Sequence, residues 1–302
     1  MNQPQATGSP FPDLSRAPFV ILSEASPEMV ANEIVACLQA VEQLERRTCR
    51  VFAAVAANVG MSPRDPLAVA GTRIAADLDD GVTGQARNAY HNSRHICEVL
   101  LCSLFLAKHA GLAGAQQARI AVAALVHDLH HDGTTNAGQP FRLERLAMDA
   151  ARPCLAAAGV AQEEITRIAA LVLATEVTSG GPYARCCFRH FHQGGPAPAV
   201  LPGADPLGLL ATDPDLAFQA VLLAEADLLP SIALTYDHAM QCQERLSRED
   251  CRIAATPAQK LAFLDRHLAA GLLVAQFFEP NLEQLRCVIR ASMEQSAGGC
   301  ST

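Results

Sequence analysis

The chain has 302 residues, is 50% hydrophobic and carries a formal net charge of −8. That is enough apolar material for one large buried core. The acidic balance, with Lys only at 108 and 260 and no block of basic residues, argues against a nucleic-acid partner, and no apolar run reaches the ~18 residues of a membrane helix. The eleven Cys are scattered without a C-x-x-C pair and the N-terminus has no secretory core. Both features point to a reduced, cytoplasmic chain whose thiols act as small core residues.

Residues 1–22, rich in Pro, are expected to form a flexible tail, 23–295 a single domain and 296–302 a second short tail. Ser26-Pro27-Glu28 is a helix start, followed by apolar residues at helical spacing from Val30 to Leu44. An apolar segment from Val51 to Val59 ends at Gly60. Asp65-Pro66 opens a helix to about Leu78, and further helices are expected around Tyr90 to Leu106, Ala118 to Val126, Glu144 to Ala158 and Glu163 to Thr175. The stretch from Gly180 to Pro206 is rich in Gly, Pro, His and Cys and reads as a loop over the site, in which Arg185, Arg189, His190 and His192 are solvated or touch a phosphate. Asp213-Pro214-Asp215 caps a helix through Leu229, another covers Ser231 to Leu246, and Thr256-Pro257 starts a long one to about Phe278 before a final helix to Met293. No alternating strand pattern is present, so the fold class expected is all-α.

Three polar intrusions interrupt this apolar background. His91 and His95 stand four apart, a spacing that places both on one face of a helix. His127-Asp128 follows the apolar run Ile120 to Val126, and His131 repeats the four-residue spacing. Asp227 lies within an apolar run, where an unpaired buried carboxylate is costly; the bland alternative is an exposed carboxylate sharing a polar stripe with Glu225. Together His95, His127, Asp128 and Asp227 offer two imidazoles and two carboxylates, a donor set suited to Zn²⁺, Fe²⁺ or Mn²⁺. The second oxygen of Asp128 can bridge to another ion. A water between two cations is a hydroxide near neutral pH and attacks phosphorus in line, with His91 placed to protonate the leaving oxygen.

The order Tyr90-His91-Asn92-x-x-His95, His127-Asp128-x-x-His131-x-Gly133-x-x-Asn136, Leu143-Glu144, Leu173-Ala174-Thr175-Glu176, Ala224-Glu225-Ala226-Asp227-Leu228 and Phe263-Leu264-Asp265 resembles the HD-domain metallohydrolases. Within them it is most similar to the class I 3′,5′-cyclic nucleotide phosphodiesterases. The resemblance implies an all-α fold and two divalent ions. His95, His127, Asp128 and Asp227 would hold the tighter ion, Zn²⁺ or in its place Fe or Mn, and Asp128 would bridge to Mg²⁺ or Mn²⁺. His91 would be the general acid, with His131, Glu144 and Asn136 near the second ion's water shell. Two departures concern base recognition. Lys260 stands three residues before Phe263, where the family has a purine-fixing Gln, with Gln259 one place off, and Pro230 replaces a family Asn. Gln259, Lys260 and Phe263 are therefore the substrate-pocket candidates, and the partner expected is a small, nucleotide-like phosphate ester, with a homodimer as a further expectation. A nucleotidase or a di-iron oxygenase on the same scaffold is the alternative reading.

Overall fold

Four helices begin where a side-chain oxygen precedes a proline. Ser26, Asp65, Asp213 and Thr256 accept the backbone N–H of Met29, Leu67, Leu216 and Gln259, and the following Pro loses no hydrogen bond in the first turn. The structure is a computed structural model that describes residues 25–136, 138–199, 201 and 205–298; the expected N-terminal tail lies outside these residues. Among the described residues there are twelve α-helices and no strand. They are α1 (Pro27–Glu42), α2 (Arg47–Asn58), α3 (Pro66–Asp79), α4 (Ser93–His109), α5 (Gly114–Val126), α6 (Arg142–Ala157), α7 (Gln162–Leu173), α8 (Gly180–Gln193), α9 (Pro214–Ile232), α10 (Tyr236–Glu249), α11 (Pro257–His267) and α12 (Glu279–Gly298).

Helix α4 is the axis of the molecule. Every residue from His95 to Ala107 is buried, the signature of a helix enclosed on all sides rather than amphipathic. It packs against α9, α5 and α2. Helices α5 and α9 are likewise mostly buried, with Ile120 to Val126 and Ala220 to Leu223 fully inside the core. Polar side chains on three such helices therefore meet in the interior, where they must find partners.

The structure departs from the sequence expectation in several places. Helix α4 starts at Ser93, because the Asn92 side chain caps it by accepting the Arg94 N–H; Tyr90 and His91 precede the helix, so His91 and His95 do not share a helical face. Helix α5 ends at Val126 as expected, with His127 as its C-cap, but the chain then turns at His130 with φ 60°, so His131 is not one helical turn beyond His127. Residues Gly180–Gln193 form helix α8 rather than a loop. Its polar composition hides a stripe of Tyr183, Ala184, Cys187, Phe188 and Phe191 packed on the core, and Gly180 permits an approach in which a Cβ would lie 2.0 Å from the Leu173 carbonyl oxygen.

The long helix expected from Thr256 to Phe278 ends at His267. Gly271 follows with φ +71°, a conformation that favours glycine. Glu225 explains the path of this segment. It is 1% exposed, so it does not form the solvated stripe of the alternative reading of Asp227. Its carboxylate pairs with Arg185 and accepts the backbone N–H of Leu273, Val274 and Ala275 at 2.7, 2.8 and 2.8 Å. Helix α9 also continues through Pro230 to Ile232, and α10 begins only after Thr235 caps it.

Candidate active site

Four side chains from three helices converge at the centre of the bundle: His95 near the start of α4, His127 and Asp128 at the end of α5, and Asp227 within α9. His95 Nε2 is 2.9 Å from Asp227 Oδ1 and 3.5 Å from Asp128 Oδ2. His127 Nε2 is 3.2 Å from Asp128 Oδ2, 3.5 Å from Asp227 Oδ1 and 3.4 Å from His95 Nε2. Ligand atoms at ~2.1 Å from a shared ion stand about 3.0 Å apart in an octahedron and about 3.4 Å apart in a tetrahedron. The five separations lie close to that range: His95, His127 and Asp128 form one group that could hold a divalent cation, and Asp227 lies beside both imidazoles of that group.

The proton inventory agrees. His127 Nδ1 lies 2.8 Å from the Ala124 carbonyl, which requires Nδ1 to carry the proton. In the neutral ring Nε2 is then an acceptor facing two carboxylates and another imidazole nitrogen, an arrangement that needs a positive charge between them. Asp128 Oδ2 is buried and has no hydrogen bond. Burial pushes the Asp227 carboxyl up, but its hydrogen bonds with His127 and His95 outweigh this and hold it well below the usual range. Burial opposes a charged His95, yet Asp227 and Glu98 raise it to about 9. A bound cation would supply that charge.

His91 borders this cluster from the loop before α4. Its Nδ1 contacts Glu249 Oε1, while Glu249 Oε2 accepts the backbone N–H of Tyr90 at 2.8 Å and of His91 at 3.1 Å. Burial raises the Glu249 carboxyl, but His91 outweighs it and the net direction is down. The His91 ring stacks on His131 with centroids 3.9 Å apart. Asn88 Nδ2 donates to both carbonyls, 3.1 Å to His91 and 2.8 Å to His131, and so clamps the two loops together. His131 Nδ1 accepts the Gly133 N–H at 3.1 Å, and burial together with neighbouring His91 lowers it to about 4. Glu249 escaped sequence reasoning: it ends a polar helix and looks like an ordinary surface acid, with no local signal of its contact.

Asn136 and Glu144 are paired, Asn136 Nδ2 donating to Glu144 Oε2 at 3.2 Å. Burial first, then the charges of Asp128 and Glu176, raises Glu144 to about 7 although Asn136 opposes this. The substrate-pocket candidates sit elsewhere. Gln259 Oε1 accepts the Ala254 N–H at 2.9 Å, which occupies its carbonyl oxygen at the start of α11. Lys260 is 1% exposed and lies over the Phe263 ring at 5.8 Å. None of the three makes a hydrogen bond or ion pair with the four-ligand cluster among the described residues. Asp132 pairs with Arg142 at 2.7 Å and so orders the loop rather than joining the cluster. Arg185 is spent on Glu225, His190 on the Gly195 carbonyl and His192 on the Pro214 carbonyl.

The chain is similar to known proteins over one segment of its sequence and in its fold. The model of the 3′5′-cyclic nucleotide phosphodiesterase family matches residues 90–148, a segment that contains His91, His95, His127, Asp128, His131, Asn136 and Glu144. Among solved structures, the phosphodiesterase domain of the RhoPDE fusion protein from the choanoflagellate Salpingoeca rosetta superposes with a TM-score of 0.59 at 18% identity, covering 95% of this chain and 98% of that one. The fold is that of a phosphodiesterase catalytic domain. A second structure, the phosphodiesterase domain of Salpingoeca rosetta rhodopsin phosphodiesterase, gives 0.55 at 17% identity over 90% and 98% of the two chains. LmjPDEB1 in complex with IBMX gives 0.57 at 14% identity over 94% and 98%. No curated protein matches the chain by sequence. The phosphodiesterase fold thus places Asp227 and Glu249, which lie outside the family match, beside the residues inside it. No single helix among the described residues is long and apolar enough to cross a membrane.

Proposed function

We propose that this chain is a metal-dependent phosphodiesterase that hydrolyses a 3′,5′-cyclic nucleotide or a closely related small phosphate ester in the cytoplasm. The observation that carries the reading is the convergence of His95 and His127 with each other and with Asp128 and Asp227 at 2.9–3.5 Å, next to a histidine held by a carboxylate. These four residues would hold the tighter ion, Zn²⁺, and the second carboxylate oxygen of Asp128 is available to a second, Mg²⁺ or Mn²⁺. Bound ions would offset the phosphate charge and activate the attacking water.

The remaining chemistry belongs to the chain itself. Glu249 fixes the orientation of His91 and occupies Nδ1, which leaves Nε2 to carry a proton to the leaving oxygen. His131 stays neutral beside it, so the stacked pair does not bear two positive charges. Asn136 and Glu144 would order solvent next to Asp128. The test is metal analysis of the purified protein followed by a panel of cyclic and linear nucleotides with Zn²⁺, Mn²⁺ and Mg²⁺. Metal-dependent turnover of the cyclic esters is expected; turnover confined to phosphomonoesters would replace this reading with a nucleotidase.

A further inference from the structure

The two imidazole ligands are backed by different groups. His127 Nδ1 meets the Ala124 carbonyl at 2.8 Å. His95 turns its Nε2 to Asp227, Asp128 and His127, so in the neutral, ligating ring the proton sits on Nδ1. That Nδ1 faces Glu98 Oε2 at 3.6 Å, and no hydrogen bond reaches it from elsewhere among the described residues. His95 and Glu98 stand three apart on α4 and so share one face of the helix.

Glu98 is 1% exposed. A carboxylate at that depth is costly unless cationic groups surround it. Its other oxygen, Oε1, lies 3.2 Å from Arg94 Nε, 3.3 Å from His238 Nε2 and 3.8 Å from Arg245 Nη1. The two guanidiniums also reach Glu42, at 2.5 and 4.0 Å, so two positive side chains balance two carboxylates. Glu98, His238 and Cys242 are spaced closely enough to hold an ion of their own. The two guanidiniums beside Oε1 oppose a cation there, and the group acts instead as a cradle that aims Oε2 at His95.

His238 and Arg245 both belong to α10. This helix contributes no member of the metal-ligand cluster, yet it also carries Glu249, the residue against His91.

We propose that Glu98 is a positioning residue of the metal centre, and that α10 holds it in place through His238 and Arg245. The carboxylate fixes the His95 tautomer and makes that imidazole a stronger ligand, as carboxylates behind ligating histidines do. The inference rests on the metal-centre reading given above.

The test is the Zn²⁺ affinity of the purified full chain, measured by competition with a chelating dye in the absence of substrate, together with the absorption spectrum of the Co²⁺-loaded protein. Glu98→Gln keeps the shape of the side chain and removes its charge. It is expected to weaken Zn²⁺ binding by about 10–100-fold and to shift the Co²⁺ band, whereas Glu249→Gln leaves both unchanged. A Glu98→Gln protein with a native circular dichroism spectrum, wild-type affinity and a wild-type Co²⁺ spectrum would overturn the proposal. Should that variant fail to fold, His238→Gln probes the same cradle with the carboxylate and all four clustered residues intact. A loss of Zn²⁺ affinity is expected there, and wild-type affinity would overturn the proposal. A wild-type chain that takes up no tight Zn²⁺ would remove the metal-centre reading and this inference with it. A chain that binds Zn²⁺ tightly but turns over no cyclic ester would overturn the phosphodiesterase reading alone.

Discussion

Glu249 and His91 are 158 residues apart in sequence and in direct contact in space, with the same carboxylate also accepting the backbone N–H groups of Tyr90 and His91. One side chain therefore sets both the ring and the loop that carries it. Residues that orient a reacting group typically cost 10–100-fold in activity when replaced, so Glu249→Gln should lower kcat by about that factor with metal content unchanged. His91→Ala should slow turnover by about 10²–10⁴-fold. Because Glu249 acts through His91, the double variant should be no slower than His91→Ala alone. A further loss in the double variant would mean that Glu249 touches the reaction independently.

Asp128 Oδ2 is buried beside both imidazoles and has no hydrogen bond among the described residues, and the Asp128 charge acts on Glu144. Asp128→Ala should release the tight ion, read by elemental analysis, and abolish metal-dependent turnover. Wild-type metal content and rate in that variant would sink the assignment. Asp227→Asn keeps the shape of the side chain but removes a charge, so a lower metal affinity with a folded protein is expected.

The helices were legible where capping chemistry is local. Ser26-Pro27, Asp65-Pro66, Asp213-Pro214 and Thr256-Pro257 all mark true helix starts. The metal-ligand candidates were legible because imidazole and carboxylate stand out against apolar helices. The four-residue spacing of His91 and His95, however, is not a helical one. Asn92 caps the helix between them, and the two rings meet the site from a loop and a helix. Helix α8 was hidden because Gly, His and Cys dominate its composition while only a few residues pack on the core. Glu249 and Glu225 were hidden for a different reason: each acts through backbone amides or a ring distant in sequence, and a single acid carries no trace of such a partner.

The α7–α8 junction gives a test of packing that is independent of catalysis. A Cβ at Gly180 would lie 2.0 Å from the Leu173 carbonyl oxygen and 3.2 Å from the Phe141 ring. The nearest atom is backbone and cannot rotate away. Gly180→Ala should therefore destabilise the fold by about 1–3 kcal/mol, the range for overpacking, measured by urea denaturation. Unchanged stability would show that α8 can shift without cost.

Lys260 is a buried amine whose charged form is disfavoured by burial. It is 1% exposed, with the Phe263 ring nearby and no carboxylate partner among the described residues. Burial, partly offset by Cys242, lowers its ammonium from 10.5 to about 8. That drop corresponds to roughly 3 kcal/mol against the charged form. The folded chain gives up this proton at lower pH than the unfolded chain. Between about pH 8 and 10.5 the unfolded chain thus binds more protons, and stability rises with pH across that window. Below pH 8 both states carry the charge and the whole penalty stands. Lys260→Met, similar in length and uncharged, should be more stable than the wild type at pH 7 by about 1–3 kcal/mol. The difference should shrink as pH approaches 10. A wild-type–variant difference that does not change with pH would show that the amine is not held in an apolar setting, and would return Lys260 to the role of a solvated or ligand-facing cation.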